Sequence, residues 1–111
     1  IIVPTYGMED SFGATDYYIS FRDDADNWRG PYNMGPQINS ADPREWSLRI
    51  SPDDKYLFFM SSRNSWEYTV DLEHADYKTF QKVYSNPQNG NTDIYWIDAG
   101  IIDTLYDQYV Q

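Results

Sequence analysis

Thr15-Asp16-Tyr17-Tyr18-Ile19-Ser20 and Thr92-Asp93-Ile94-Tyr95-Trp96-Ile97 follow one pattern, a threonine and an aspartate leading into a strand-like run. Aromatic and β-branched residues of this kind fit a pleated, half-buried surface. The match extends upstream, where Ile1-Ile2-Val3 corresponds to Leu57-Phe58-Phe59. With Gly7 set against Arg63, the paired strands are separated by residues 8–14 in the first copy and by 64–91 in the second. The chain is therefore an internal repeat whose second copy carries an insertion.

Other apolar bursts complete the unit. Trp28 to Gly35 reads as an outer strand after the first copy, and Trp46 to Ile50 opens the second. Ser51-Pro52-Asp53-Asp54 stands between 46–50 and the burst at 56–60. Pro52 presets φ for a turn there, and the aspartates suit the positions after it. Asn89-Gly90-Asn91 signals a second turn, ahead of a strand at 92–98. Each unit thus runs strand, turn, strand, loop, Thr-Asp strand and outer strand, a four-stranded antiparallel meander. In 56–60 both parities are apolar, Tyr56, Phe58 and Met60 against Leu57 and Phe59, and 94–97 behave alike. An antiparallel sheet with one wet face would alternate, so these strands are expected to be covered on both faces.

Stacked four-stranded meanders are the blades of a propeller, each of roughly 40–45 residues. The expected fold is all-β: about two propeller-type blades, an incomplete propeller, with one inserted helix. Residues 1–40 are expected to supply strands two to four of a partial blade, and 41–111 a C-terminal blade with the insertion 64–91. Within that insertion Leu72, Ala75, Phe80 and Val83 fall near helical spacing, which predicts a helix over 71–84 with Asp71 as N-cap, ended by Asn86-Pro87. Residues 99–107 read as a short terminal helix, with an edge strand as the alternative.

Composition narrows the function. Of 111 residues, 18 are Asp or Glu and 8 are Lys or Arg, a net charge of −10. A polyanion would be repelled, so a generic nucleic-acid binder is excluded and anionic membrane surfaces are disfavoured. No apolar run approaches the ~20 residues of a spanning helix. Four Trp, 11 Tyr and 5 Phe argue against disorder. With no cysteine and one histidine, thiolate zinc sites, disulfides and a cysteine nucleophile are excluded. A chain that opens on Ile1 with no visible signal peptide is expected to be a processed product or a piece of a longer one.

Three motifs carry a family resemblance: Trp-x-x-Pro-x-Asn-x-Gly-Pro-x-Ile-Asn at 28–39, Ser-Pro-Asp-x-Lys-Tyr-Leu-Phe-Phe at 51–59 and Asn-Gly-Asn-x-Asp-Ile-Tyr-Trp-Ile at 89–97. In this order they resemble the TolB-type, WD-like β-propeller repeats of bacterial proteins, across nearly the whole chain. From Tyr77 through Leu105 the chain resembles the closing segment of such propellers. One departure is Asp54, where the turn usually ends in Gly; Asp tolerates that conformation. The resemblance implies a non-enzymatic scaffold that binds a protein or small ligand, in the bacterial periplasm or outside the cell. The alternative is the propeller domain of a bacterial hydrolase, a peptidase or a polysaccharide-active enzyme, with its catalytic groups outside this chain. Expected partners are the remaining blades or other copies of the chain, since two blades cannot close a ring of four to eight.

Candidate residues follow from the repeat. Asp16 and Asp93 precede the two aromatic strands, Arg22 and Arg63 end or follow strands, and Ser51, Pro52 and Asp53 build the turn. All are read as structural, with carboxylates accepting backbone N–H groups and an arginine. Asp24 and Asp26 lie in Asp23-Asp24-Ala25-Asp26-Asn27, a fragment of a calcium loop without its distal Glu or central Gly. A solvated turn and no cofactor are expected there, with calcium as the alternative. His74 has no nucleophile motif to serve and reads as a surface residue of the inserted helix. Trp46 and Trp96, inside strand bursts, are assigned to the core, whereas Trp66 and Tyr68 are candidates for an exposed binding surface, including one for carbohydrate.

Overall fold

The computed structural model describes residues 1–41, 45–63, 73–89 and 91–111. Strands β1 (Ile2–Tyr6), β2 (Thr15–Arg22) and β3 (Trp28–Asn33) form one antiparallel sheet in that order. Strands β4 (Glu45–Ile50), β5 (Tyr56–Ser61) and β6 (Asp93–Asp98) form the second. Helix α1 (Tyr77–Ser85) lies between β5 and β6, and α2 (Ile101–Tyr109) follows β6.

The repeat reappears as register. In the first sheet Ile2 faces Ile19, Val3 faces Tyr18, Pro4 faces Tyr17 and Thr5 faces Asp16. In the second, Phe58 faces Trp96, Phe59 faces Tyr95, Met60 faces Ile94 and Ser61 faces Asp93. These are the pairs that the sequence alignment makes equivalent, so β1 matches β5 and β2 matches β6.

Each sheet has three strands among the described residues, where the repeat anticipates three in the first unit and four in the second. In the first sheet β1 is an edge strand, as expected for strands two to four of a unit. The second lacks an equivalent of β3, because the chain turns after β6. The Asp98 carboxylate accepts the Gly100 N–H at 2.7 Å, and Ala99 N–H is held by the Lys55 carbonyl at 2.8 Å. From there Ile101, Ile102, Leu105, Tyr106 and Val110 fall on one helical stripe and pack on the core. The terminal helix is the outcome of the two readings of this segment. It reaches the first sheet through an edge-on contact of Tyr106 with Phe21 and a stacked pair of Tyr32 and Tyr109.

The inserted helix starts later than its periodicity predicts. Asp76 is the N-cap, and its carboxylate accepts the N–H of Thr79 at 2.9 Å and its hydroxyl at 2.8 Å. Those bonds hold the Asp76 carboxyl below the usual carboxylate range, the Thr79 N–H being the largest cause. Asp71 and Leu72 lie outside the described residues. No residue of α1 is buried, and Lys82 in its last turn suits the helix dipole.

The Ser51 turn is closed from inside. Ser51 Oγ donates to Asp53 Oδ1 at 2.6 Å and accepts the N–H of Tyr56 at 3.0 Å, while Asp54 N–H donates to the Ser51 carbonyl. Asp54 takes φ 59°, the left-handed conformation that asparagine and aspartate enter most easily after glycine.

Between the sheets lies one core. Tyr17, Ile19 and Phe21 of β2 meet Leu57 and Phe59 of β5, with Met34, Ile38, Ala99 and Leu105 around them. Leu57 is fully buried while its neighbour Phe58 is 38% exposed on the opposite face. Leu57→Ala should therefore destabilise the chain by about 2–5 kcal/mol, through lost burial plus a cavity. Phe58→Ala should destabilise it by less than about 1 kcal/mol. Urea unfolding of the two variants checks this; equal losses would mean that both faces of β5 are packed.

Candidate functional site

Alternation along β5 and β6 sends one set of side chains to the core and the other outward. The outward set is apolar: Tyr56 and Phe58 from β5, Ile94 and Trp96 from β6, with Met60 half-buried beside them. Ile94 is 71% and Trp96 62% exposed. Trp96 meets Tyr56 edge-on, ring centroids 5.3 Å apart at 88°, and with Phe58 they line a shallow cleft of about 180 Å³. The assignment of Trp96 to the core is thus corrected. The strand is embedded in the second sheet, but its ring is exposed on a face over which no described element forms a second layer. Sequence carried the signal in the apolar residues on both parities. What it could not give was which of the two faces the chain itself covers.

An aromatic face of this kind can bind by burial and stacking. The polar residues of the repeat sit elsewhere and brace loops. Asp16 is buried, and its carboxylate accepts N–H groups from Phe12 and Gly13, the Ser11 hydroxyl at 3.1 Å and Asn33 Nδ2 at 3.2 Å. Asp93 accepts the N–H of Gln88 at 2.8 Å, from the loop that precedes it. The arginines take other partners. Arg22 pairs with Asp26 on the exposed rim. Arg63 donates to Ser61 Oγ and the Ile38 carbonyl, lies over the rings of Phe59 and Tyr95, and stands 3.8 Å from Glu45.

Glu45 is the residue that sequence reading passed over. It starts β4, is 1% exposed, and its Oε1 accepts the hydroxyls of Ser40 and Ser61. Its Oε2 has no hydrogen-bond partner and is sealed from solvent. Burial pushes the Glu45 carboxyl above the usual carboxylate range, outweighing the two hydroxyls and Arg63. A cleft of about 620 Å³ opens nearby, lined by Pro4, Tyr17, Trp46 and Ser47 as well as Glu45, but the sealed oxygen does not present itself to it.

The aspartate-rich loop is organised around Asp23, not around the candidates Asp24 and Asp26. Asp23 Oδ1 accepts the N–H groups of Ala25 and Asn27, and Oδ2 accepts Arg29 Nε at 2.9 Å. These contacts, the Asn27 N–H first, hold the Asp23 carboxyl below the usual range. Among the described residues no three His, Asp or Glu side chains converge to hold a metal ion. Trp66 and Tyr68 lie outside the described residues. His74 is exposed, in a turn ahead of α1. No described helix is long and apolar enough to cross a membrane.

No family model, curated protein or solved structure matches the chain.

Two predictions come from the buried carboxylates. Asp16→Asn replaces an acceptor with an amide and should lower stability by roughly 2–3 kcal/mol, against about 1 kcal/mol for Asp93→Asn. Thermal or chemical melts measure both, and an Asp16→Asn variant as stable as the wild type would refute the bracing role. Glu45 works in the other direction. Its folded value is raised, so its contribution is full in acid and is lost as pH rises through that value. Glu45→Gln should melt higher than the wild type at neutral pH, and the gap should close as the pH falls into the usual carboxylate range. A gap independent of pH would contradict this.

Proposed function

We propose that the chain is a non-enzymatic scaffold of propeller type, built from blade-like repeats similar to those of TolB-like proteins, which binds a protein or small ligand. The observation that carries this reading is the open aromatic face of the second sheet, Tyr56, Phe58, Ile94 and Trp96. Contiguous exposed apolar surface on a soluble domain marks an interaction site. Large aromatic anchors at such a face supply most of the binding energy of an interface. The internal repeat supports the blade-like part of the reading, because two equivalent sheets stack through a shared core. The bacterial periplasmic or extracellular setting belongs to the same proposal and rests on the resemblance of 28–39, 51–59 and 89–97.

Binding of the dye anilinonaphthalene sulfonate at micromolar protein tests the face directly. Its fluorescence should rise on the wild type and fall by about half or more on the Phe58→Ser, Trp96→Ser double variant, whose circular dichroism stays native. An equal signal from both proteins would overturn the reading. So would steady release of nitrophenol or nitroaniline from ester, glycoside or peptide substrates in proportion to the purified chain.

A further inference from the structure

The faces of the two sheets are equivalent residue by residue, yet they are used differently. In the first sheet Ile2, Tyr17 and Ile19 look inward and join the core against the second sheet. Their counterparts in the second sheet are Phe58, Ile94 and Trp96, and these are the exposed residues. The same exchange holds for the opposite faces. Leu57, Phe59 and Tyr95 of the second sheet pack against the first, while their counterparts are Ile1, Val3 and Tyr18. Ile1 and Val3 are exposed, whereas Tyr18 is buried, its hydroxyl on Asp10 and Asn33.

The stack of sheets therefore ends in two unlike surfaces. One is of the kind that receives a neighbour in the internal interface, and the other of the kind that is received. We propose that the outer face of the second sheet docks the outer face of the first sheet of a second copy of this chain, Phe58, Ile94 and Trp96 of one copy against Ile1 and Val3 of the next. The contact repeats the internal sheet-to-sheet interface at the positions of Ile1 and Val3, Tyr18 being already buried with its hydroxyl on Asp10 and Asn33. It deepens the scaffold reading above by naming the occupant of its aromatic face. Because the two surfaces differ, the association is head-to-tail and does not stop at a dimer unless its rotation closes a ring. Each copy carries a net charge of −10, so like-charge repulsion opposes the contact and added salt strengthens it.

Analytical ultracentrifugation of the 111-residue chain tests this, with Trp96→Arg and Val3→Arg as variants. Both positions are exposed, so native circular dichroism and an unchanged melt serve as the folding control for each. The weight-average mass of the wild type should rise about twofold or more from micromolar to hundreds of micromolar protein, and further with salt. Each variant alone should stay monomeric. An equimolar mixture should form a one-to-one dimer and stop there, since Val3→Arg keeps the receiving face and Trp96→Arg keeps the face received. A wild type that is monomeric throughout overturns the proposal, as does a dimer that survives in Val3→Arg, which would be a symmetric pairing of two second sheets. A mixture that stays monomeric overturns it too, as does binding of oligosaccharides to the Trp96 face of a monomer. Dye binding to that face by a monomeric wild type would leave the scaffold reading standing and remove only the pairing between copies.

Discussion

The carboxamide of Asn39 ties the connection between the two sheets to the first of them. Its Oδ1 accepts the N–H of Tyr17 at 2.7 Å and its Nδ2 donates to the Tyr17 carbonyl at 2.9 Å, so one side chain closes both backbone bonds of a buried strand residue. A second bond from Nδ2 reaches Asn33 Oδ1 at 2.8 Å, and Asn33 in turn donates to Asp16, Tyr18 and the Asp10 carbonyl. Buried polar groups are tolerated only when satisfied, and here each member satisfies another. The connection after β3 is thereby fixed against β2. Gly35, at φ 83°, allows the turn, and Ile38 is delivered to the core with its carbonyl aimed at Arg63. Arg63 then lies over Phe59 and Tyr95, and the Tyr17 hydroxyl accepts the N–H of Leu48 at 2.9 Å. Polar bonds set the orientation of the sheets, and the apolar core fills the space that they define.

Much of this was legible in the sequence because it depends on neighbours in the chain. The alignment of Ile1-Ile2-Val3 with Leu57-Phe58-Phe59, and of the two Thr-Asp strands, reappears as register because side chains alternate strictly along a strand. The Ser51 turn was legible through Pro52 and the aspartates, and Asp54 takes the left-handed conformation that glycine usually provides. The strand count was less legible. A two-residue connection from β6 to α2 decides it, through the Asp98 bond to Gly100 and the helical stripe of Ile101, Ile102 and Leu105. The start of α1 was misplaced because a periodicity of apolar residues locates a helix face, whereas Asp76 and Thr79 locate its first turn.

The aromatic face shows the limit most clearly. Apolar residues on both parities of 56–60 and 94–97 predict two covered faces, and among the described residues one is packed while Phe58, Ile94 and Trp96 are exposed on the other. Sequence pattern records what a face is suited to meet. Only the packing of the sheets reveals whether its neighbour belongs to the same fold. Trp66 and Tyr68, singled out because they stand in an insertion, lie outside the described residues, whereas Tyr56, Phe58 and Trp96 stand inside regular strands and are exposed. Regular strands hold aromatic side chains at fixed spacing, so a flat surface made this way is preorganised where a loop would have to be ordered on binding.

Glu45 completes the argument from the opposite side of β4. It occupies the place where the linker, the first sheet and the second sheet meet, bonded to Ser40 and Ser61 and 3.8 Å from Arg63. A carboxylate there is a poor source of stability, since burial disfavours its charged form and Oε2 has no partner. It nevertheless restricts how the sheets can meet. A sliding of β4 along β5 would separate Oε1 from the Ser61 hydroxyl, one of the two hydroxyls that it accepts, a loss that an apolar residue would not incur. The register Glu45 to Ser61 is followed by an irregularity between Trp46 and Arg49, so the strand is pinned at its start and free to adjust beyond. That adjustment leaves Leu48 packed on the core while Arg49 comes to face Phe58 on the open side. The composition of the exposed aromatic face is thus set in part by a buried acid on the other face of the same strand.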